Sequence, residues 1–393
     1  MTSQSDRPVV LVLAKHYVPA FKAGGPVRSI RNIVAALYEE FDFRIVTSDR
    51  DHTDSEPFPS VARNCWGKCD KASVFYADSS HRGAQAFERI IRDVNPDLVY
   101  LNSCFSPSFS IAPLALRRLG RLGKRSAWVV APRGEFSKGA ISLKAWKKRP
   151  VLRFAQACGV FEGITWQATS DLEVEDIRRE TGAPDSAILL ASNITEGVGD
   201  FVEPAISESP ARPLKVCFVS RVSRKKNLAF AVEAMARARS PVEFDIYGPV
   251  EDESLVAECR RIAAAAANGL VVRWHGHVPH EQVREIFGQH DLFLFPTLGE
   301  NFGHVIFESL AAGTPVLVSD RTPWHDLEAK GAGWVRSLDR IQDFVDVIDG
   351  FASMPPAERL AMRRRAHGYA KAAHLASPAV EQTRRLLLGS ASS

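Results

Sequence analysis

Short apolar runs alternate with amphipathic segments along the first half of the chain. Pro8–Ala14 is a continuous apolar run, which is typical of a parallel strand buried on both faces. Val27–Leu37 then places apolar residues at helical spacing. The alternation predicts a doubly wound α/β domain over residues 1–195. Further predicted strands in this half are Phe43–Thr47, Leu98–Leu101, Ala127–Ala131 and Gly163–Ala168, with a predicted helix at Ala86–Val94.

Residues 196–213 interrupt this alternation. They contain three prolines and no clear periodicity, so we interpret them as a linker. The alternation then predicts a second doubly wound domain over residues 214–365, and the tail, residues 366–393, is expected to form a helix that packs back toward the first domain. Its predicted strands are Leu214–Ser220, Val242–Tyr247, Val271–Trp274, Leu292–Phe295 and Pro315–Ser319, separated by helices at Asn227–Arg237, Ser254–Ala267, His280–Gly288 and Gly303–Ala312.

The predicted fold class is therefore α/β, with two Rossmann-like doubly wound domains that face each other across a cleft. In such sheets, ligands bind beyond the carboxyl ends of the strands. The loops that follow the strands are thus the first place to look for chemistry.

Composition narrows the class of protein. Hydrophobic residues make up 45% and charged residues 24% of the 393 residues, as in ordinary globular proteins. A net charge of +4 is too small to imply nucleic-acid binding. Six scattered cysteines favour a reducing compartment, and a cytoplasmic protein is expected. Cys65 and Cys69 could form a metal or redox pair, but free thiols are the preferred interpretation because no histidine pattern completes a zinc site.

Positive charge is concentrated in one part of the first half. Residues 101–150 hold eleven Lys and Arg residues against one acid, Glu135. Within them, the segment 117–149 interleaves Leu143 and Trp146 with cations, and we predict that it faces an anionic membrane surface or a pyrophosphate-linked lipid. The protein would then be peripheral on the inner face of the cytoplasmic membrane. An ordinary solvated basic face is the alternative. The cations beside Leu143 and Trp146 are Lys144, Lys147, Lys148 and Arg149.

The loop between the first strand and the first helix is rich in glycine. Gly24 and Gly25 allow a close backbone approach or a positive φ, and Pro26 suits a first helical turn, where an anion is favoured. The loop is not G-x-G-x-x-G, so it gives little support to a nicotinamide or flavin dinucleotide site. A plain glycine-rich turn is the structural alternative.

The second domain opens with four cations directly after an apolar strand. In SRVSRKKN (residues 220–227), Arg221 and Lys226 span the loop and could hold a diphosphate from two sides. Like charges this dense repel one another, so structure alone does not call for them. The alternative is a solvated basic loop before a helix.

A pair of glutamates flanks a predicted helix start in TLGENFGHVIFES (residues 297–309). Glu300 lies in the loop, and Glu308 lies on the second helical turn among apolar residues. The first amides of a helix have no intrahelical acceptor and can bind phosphate or sugar oxygens. Because helical side chains lean toward the N-terminus, Glu308 can point at the same place and accept hydrogen bonds from a ribose diol.

These motifs together resemble a known family. GENFGHVIFE is similar to the E-x7-E signature of the retaining family-4 glycosyltransferases of the GT-B fold, and SRVSRKKN to that family's G-R-x-x-x-x-K-G/N. DIYGPVED (245–252) and WHGHVPHEQV (274–283) fall at the family's usual places. YVPAFKAGGPVRSI and APRGEFSKGAISLKAWKKR resemble the bacterial branch that builds exopolysaccharide, capsule or lipopolysaccharide.

The resemblance implies a set of roles along nearly the whole chain. Arg221 and Lys226 are expected to hold the donor diphosphate, Glu300 to contact the transferred sugar, and Glu308 to bind the ribose. Val278 is expected near the base. Asn301, Phe302 and Gly303 are expected beside the sugar, His304 and Val305 against the phosphates, and Gly24 and Gly25 close to the donor across the cleft.

The chain departs from the family at one position. Many members carry a histidine after the strand that corresponds to Leu98–Leu101, whereas this chain has Asn102, which can donate a hydrogen bond but cannot act as a base. His16 is another candidate for that role, with simple loop packing as the alternative. Arg133 is expected on the acceptor side.

The function that follows is retaining transfer of a sugar from a UDP- or GDP-sugar to a glycan or a polyprenyl-diphosphate-linked acceptor, in cell-surface polysaccharide synthesis. No cofactor is expected, and the reaction is predicted to be metal-independent because cations and a helix N-terminus can stabilise the leaving diphosphate. The alternatives are a non-catalytic protein that binds a nucleotide sugar or glycan, and a nucleotide-sugar epimerase of similar architecture.

Overall fold

The computed structural model describes residues 7–122, 126–142, 145–204 and 212–391. These residues form two compact units. One consists of the chain up to Ile194 together with the residues from Ser377 onward, and the other of Thr195–Ala376. Of the predicted linker, residues 205–211 lie outside the described residues, as do residues 123–125, Leu143 and Lys144 of the predicted basic segment.

The first unit is built around a sheet with the strand order β3-β4-β2-β1-β5-β6-β7-β8. All neighbouring pairs are parallel except β3 with β4. Its strands are β1 (Val9–Leu13), β2 (Asp42–Ser48), β3 (Trp66–Cys69), β4 (Ala72–Ala77), β5 (Leu98–Leu101), β6 (Ala127–Val130), β7 (Thr165–Ala168) and β8 (Ile188–Leu190). The helices are α1 (Gly25–Leu37), α2 (Ala84–Val94), α3 (Ala112–Arg118), α4 (Lys138–Ser142), α5 (Ala145–Ala157) and α6 (Asp171–Thr181).

The first strand lies at the centre of this sheet. Val10, Leu11, Val12 and Leu13 are all at most 2% exposed, because helices cover both faces of a parallel sheet. The strand order runs outward from β1 in both directions, to β2 on one side and to β5 on the other. Ligands of doubly wound sheets bind at such a reversal, so the loops after β1 and β5 are the candidate positions in this unit.

The second unit has a fully parallel sheet with the order β11-β10-β9-β12-β13-β14 among the described residues. The reversal here lies between β9 and β12. Its strands are β9 (Leu214–Val219), β10 (Val242–Tyr247), β11 (Val271–Gly276), β12 (Leu292–Phe295), β13 (Val316–Ser319) and β14 (Gly333–Arg336). Its helices are α7 (Leu228–Arg237), α8 (Glu253–Ala264), α9 (His280–Gly288), α10 (His304–Ala311), α11 (Ile341–Ala352) and α12 (Pro356–Leu375).

The tail differs from the single helix expected over residues 366–393. The structure has two helices there, α12 and then α13 (Ala379–Ala391). The break follows from Pro378, which has no amide hydrogen and would clash with the carbonyl group four residues earlier in a continuous helix. The last helix belongs to the first unit, where Arg384 forms hydrogen bonds of 2.7 and 2.8 Å with the Glu40 carboxylate.

Among the described residues, no helix is both long enough and apolar enough to cross a membrane.

The first unit offers a test of its packing. Trp166 is 1% exposed, and its ring contacts those of Phe136 and Phe161 at centroid distances of 5.8 and 5.2 Å. Replacing Trp166 with Ala should therefore lower the free energy of unfolding of this unit by about 3–5 kcal/mol. Trp146→Ala is the matched control, because that side chain is 76% exposed. Urea unfolding followed by circular dichroism measures both variants, and equal effects would contradict the predicted packing.

Candidate functional site

The loops after β9 and β12 are held together by their backbones. The amide of Leu298 donates to the Lys225 carbonyl oxygen at 2.9 Å, and the Thr297 hydroxyl donates to the same oxygen at 3.2 Å. This contact positions Lys226 against Glu300, and the ammonium group donates to the Glu300 carboxylate. Both side chains are largely buried, with exposed fractions of 12% and 16%. Two residues with separate predicted roles thus form one ion pair.

Arg221, at the other end of the same loop, also has a carboxylate partner. Its guanidinium lies 2.7 Å from the Glu251 carboxylate, and the Glu251 amide donates to the Val222 carbonyl oxygen at 3.1 Å. A clamp formed by Arg221 and Lys226 stays a prediction. Sequence reasoning missed Glu251, although an acidic residue just after the neighbouring strand, β10, was the available signal.

The close approach of these loops requires a glycine at position 248. Gly248 has φ of +139°, and an added Cβ would lie 1.9 Å from the Ser220 carbonyl oxygen. The Gly248 amide donates to the Gly276 carbonyl oxygen at 2.7 Å. Any side chain at this position would therefore push the start of the basic loop away from the ends of β10 and β11.

Repulsion among the cations of the basic loop, residues 220–227, is reduced by carboxylates of the neighbouring segment. Arg224 lies 3.0 Å from the carboxylate of Asp252, which precedes α8, and 3.4 Å from that of Glu258, in the middle of α8. The expectation that structure does not call for these cations is therefore wrong for Arg224, because it has a structural partner in the neighbouring helix. Arg221 and Lys226 are the cations of this loop that lie against Glu251 and Glu300.

The helix that follows β12 begins one residue later than predicted. Gly303 precedes α10 in the left-handed region, with φ of 78°, and no side chain caps the helix start. The indole of Trp324 donates to the Phe302 carbonyl oxygen at 2.6 Å, and the Phe302 ring packs 4.9 Å from His304. These contacts fix the turn that carries Glu300 and Asn301 into the first turn of α10, a place that favours anions.

Glu308 and Val278 both lie at the edge of the hydrophobic core of this unit. Glu308 is half-buried on the second turn of α10, while its neighbours Ile306 and Phe307 are 0% and 4% exposed. Val278 is half-buried after β11 and packs against the same core, as does Val305. Their roles at a ribose, a base and a phosphate stay predictions.

A second polar cluster in this unit was not predicted. The Asp245 carboxylate lies 2.5 Å from His275 Nε2 and 3.3 Å from His290 Nε2, and the Tyr247 ring stacks on His275 at 4.4 Å. Burial alone raises the pKa of Asp245, but the hydrogen bonds from the two histidines outweigh it and lower this pKa to about 2. The cluster ties β10 and β11 to the end of α9.

In the first unit, Arg133 is the centre of a hydrogen-bond network. Its guanidinium donates to Asn102 Oδ1 at 2.9 Å, to Asn193 Oδ1 at 2.8 Å and to the Tyr100 hydroxyl at 2.6 Å. Asn102 also donates to the Pro26 carbonyl oxygen at 3.1 Å. The structure therefore brings the predicted residues Asn102 and Arg133 together at the start of α1. Tyr100 and Asn193 were missed, since neither stands in a recognisable motif.

Gly24 precedes α1 with φ of 70°, a conformation that favours glycine, and Gly25 is the first residue of the helix. The Asn102 amide group binds the first turn of this helix, so Asn102 positions the glycine-rich loop. The predicted contact of Gly24 and Gly25 with a donor stays a prediction.

His16 lies in the same loop, beside His52, at a ring-centroid distance of 5.5 Å. Both ring nitrogens are buried, and the described residues give them no hydrogen bond of ordinary length and angle. Burial, with Lys15 and His52 nearby, lowers the pKa of His16 from 6.5 to about 4, although Asp51 and the Arg50 backbone oppose the shift. The imidazole is thus neutral near pH 7, which makes it a weak base and a hydrogen-bonding group.

Among the described residues, no three His, Cys, Asp or Glu side chains come together in a way that could hold a metal ion. Metal independence is a property of the reaction, and it stays a prediction.

Residues 201–371 match the family model described as Glycosyl transferases group 1. The matched segment contains the loops after β9 and β12, Glu251 and the whole of α10. The contact between Lys226 and Glu300 therefore lies inside the matched region.

Curated proteins are similar to parts of the chain. The alpha-maltose-1-phosphate synthase of Mycobacterium tuberculosis is 35% identical over 114 residues, which are 28% of this chain and 29% of that protein. The amylovoran biosynthesis glycosyltransferase AmsK of Erwinia amylovora is 27% identical over 137 residues, or 32% of each chain. Each match spans less than a third of the relative's length.

Solved structures are similar over nearly the full length. The crystal structure of Anabaena Alr3699/HepE in complex with UDP and glucose has a TM-score of 0.73 and 16% identity, covering 98% of this chain and 100% of that one. At this identity, the likeness concerns the fold alone.

The lowered pKa of His16 predicts a pH dependence of stability. The unfolded chain binds a proton at this imidazole below about pH 6.5, whereas the folded chain does so only below about pH 4. Stability should therefore fall as pH drops through this window, by up to about 3 kcal/mol. His16→Gln should remove that part of the pH dependence, and the exposed His325→Gln should not. Urea unfolding at pH 4.5 and pH 7 would contradict the assignment if the two variants behaved alike.

Proposed function

We propose that this chain transfers a sugar from a nucleotide diphosphate donor to a glycan or lipid-linked acceptor. The support is the match of residues 201–371 to the model described as Glycosyl transferases group 1, together with the GT-B fold. The predicted family resemblance and the predicted α/β GT-B fold are both confirmed. The donor, the acceptor and the stereochemistry belong to the proposal.

The observation that carries the proposal is the contact between Lys226 and Glu300 beside the start of α10. A leaving diphosphate develops negative charge that an ammonium group and a helix N-terminus can stabilise without reorganising. We propose that Lys226 turns from Glu300 toward the diphosphate when the donor binds. Glu300 is then available to accept hydrogen bonds from hydroxyl groups of the transferred sugar. Lys226 would thus bind the diphosphate of the donor, and Glu300 would bind its sugar.

Arg221 is proposed to bind the same diphosphate from the other end of the loop. The loop contacts through Glu251 and Gly248 hold its backbone in place. The predicted donor residues of the α10 segment, from Asn301 to Val305, are proposed to bind sugar and phosphate oxygens, and Glu308 the ribose. No cofactor and no divalent metal are part of the proposed reaction.

We favour a uridine diphosphate donor over a guanosine one. HepE, which shares the fold, was crystallised with UDP and glucose, and the pneumococcal transferase GtfA with UDP and GlcNAc. A role in cell-surface polysaccharide synthesis is supported by the similarity to AmsK, a protein of amylovoran biosynthesis. Retention of configuration is proposed from the family resemblance.

The network of the first unit is proposed to hold the acceptor. Arg133 and Asn102 fix the start of α1, so we assign them positioning roles. His16 is neutral near pH 7, and its ring nitrogens suit a hydrogen bond with an acceptor hydroxyl. The general test of the function is a panel of nucleotide sugars with a lipid-linked acceptor, measured as nucleoside diphosphate release. Isomerised free sugar or binding without turnover would replace this proposal with an epimerase or a binding protein.

Lys226→Ala should lower kcat by about 10²–10³, because removing one preorganised electrostatic contact from the transition state has an effect of that size. Lys225→Ala, in the same loop, is the matched control and should keep most of the activity. EDTA should leave the wild-type rate unchanged. The measurement is steady-state kinetics. An unchanged kcat in Lys226→Ala, together with loss of wild-type activity in EDTA, would mean that a metal ion stabilises the diphosphate instead.

Glu308→Ala should act on donor binding and leave the chemical step largely intact. A ribose contact is made equally in the ground state and the transition state, so its loss raises the donor KM at nearly constant kcat. The same kinetics with Glu308→Gln should give a smaller rise in KM, since the amide oxygen still accepts a hydrogen bond. A fall in kcat at unchanged KM would place Glu308 in the chemistry and remove it from the ribose site.

A further inference from the structure

The described residues of the basic segment that the sequence assigned to a membrane do not lie on one surface. Within residues 117–149, α3 ends at Arg118, β6 runs through the sheet, and α5 begins only at Ala145. Lys148 points inward, donating to the Ala140 carbonyl oxygen at 3.0 Å and lying 4.9 Å from the centre of the Phe105 ring. Lys144 and Leu143 are outside the described residues. A membrane contact in this segment would therefore involve the exposed side chains of α5.

The outward side of α5 carries an apolar stripe. Trp146, Pro150 and Phe154 recur every four residues, so they lie along one side of the helix. Trp146 is 76% and Phe154 is 72% exposed, which is high for aromatic side chains. The opposite side is anchored in the unit, since Leu152 and Ala155 are 3% and 6% exposed. The stripe thus faces solvent on a helix that is fixed in place.

Two arginines run beside this stripe. Arg149 and Arg153, four residues apart, are exposed, and neither side chain has an ion-pair or hydrogen-bond partner among the described residues. Both also line a surface cavity of about 720 Å³ together with Arg179 and Glu180 of α6. Arg179 is already paired with Asp176 and Glu180, whereas Arg149 and Arg153 are available to an anion.

Glu180 of α6 lines the same cavity, but it is paired with Arg179, and the residues that lead into α5 add little further negative charge. Residues 101–150 contain one acid, Glu135, and its carboxylate accepts hydrogen bonds from the Cys104 amide at 2.6 Å and the Ser103 hydroxyl at 2.8 Å. Burial raises the pKa of Glu135, while its hydrogen bonds and Lys148 oppose this shift. An exposed aromatic stripe flanked by cations matches the two parts of an anionic bilayer surface, apolar chains below and phosphate groups above.

We propose that α5 docks on an anionic lipid bilayer, with Trp146 and Phe154 inserted at the interface and with Arg149 and Arg153 on the head-group phosphates. The helix lies in the plane of the interface, because its opposite side is packed against the unit. This proposal concerns a surface outside the donor loops and is independent of the function proposed above.

The test is flotation of the full chain with vesicles of phosphatidylcholine alone or mixed with phosphatidylglycerol, at low salt and without sugar donor. Wild-type protein should float with the anionic vesicles. Trp146→Ser and Phe154→Ser should each weaken the partition by about tenfold, since each removes one buried aromatic anchor. Arg149→Gln with Arg153→Gln should lower binding to anionic vesicles and make it less sensitive to salt.

Matched controls come from the second unit. Leu375 is 75% exposed and Arg239 has a side chain 87% exposed, so Leu375→Ser and Arg239→Gln should leave vesicle binding unchanged. Circular dichroism and thermal unfolding confirm that each variant is folded. The proposal is overturned if the wild type does not bind anionic vesicles, or if the Trp146 and Phe154 variants bind as well as the wild type. It is also overturned if sedimentation shows that the stripe joins two copies of the chain instead.

Discussion

The candidate site depends on one contact between loops far apart in the sequence, the pairing of Lys226 with Glu300. Seventy-four positions separate the two residues, and they meet because β9 and β12 are neighbours at the reversal of the second sheet. The strand order thus places a cation, a carboxylate and the start of α10 at one edge of the sheet. The backbone bonds to Lys225 then fix the two loops tightly enough that both charged groups are largely buried. A buried pair of this kind loses solvation, so it is weak evidence for stability and better evidence for a function.

The same sheet edge supplies partners for three of the four cations that follow β9. Arg221 pairs with Glu251 and Arg224 with Asp252, both supplied by the connection after β10, while Lys226 pairs with Glu300. The neighbouring strands of β9 therefore supply the carboxylates that offset the loop's charge. This close approach of the loops after β9 and β10 requires glycine at position 248, because a side chain there would collide with the Ser220 carbonyl group.

Hydrophobic patterning predicted most of the elements that flank the site, but it missed β3, β4, β8 and β14, and β4 was missed although it is largely buried. The apolar runs of β1, β9 and β12 were identified because both faces of these strands are buried. The short strand β3 was missed, since residues Trp66–Cys69 are mostly exposed and have no apolar run. The spacing of the motifs predicted which residues belong to the candidate site, but it did not predict which of them form ion pairs. Alternation of strands and helices does not give the strand order, so neither Lys226 with Glu300 nor Arg221 with Glu251 could be inferred. The prediction that Lys148 faces a membrane surface is wrong for a related reason, because the packing of neighbouring residues decides the direction of a lysine side chain.

Under the proposed function, the pairing of Lys226 with Glu300 also helps the site to distinguish a nucleotide sugar from a nucleoside diphosphate alone. A diphosphate alone must draw Lys226 away from Glu300 and leave that carboxylate without its cation in a largely buried place, which is costly. A diphosphate with a sugar attached brings hydroxyl groups that can donate to Glu300 as the ammonium leaves. The two halves of the donor would therefore favour each other's binding. After transfer, the departing diphosphate no longer carries those hydroxyl groups, and renewed pairing of Lys226 with Glu300 competes with the product. The pairing of Lys226 with Glu300 would thereby favour release of the nucleoside diphosphate product.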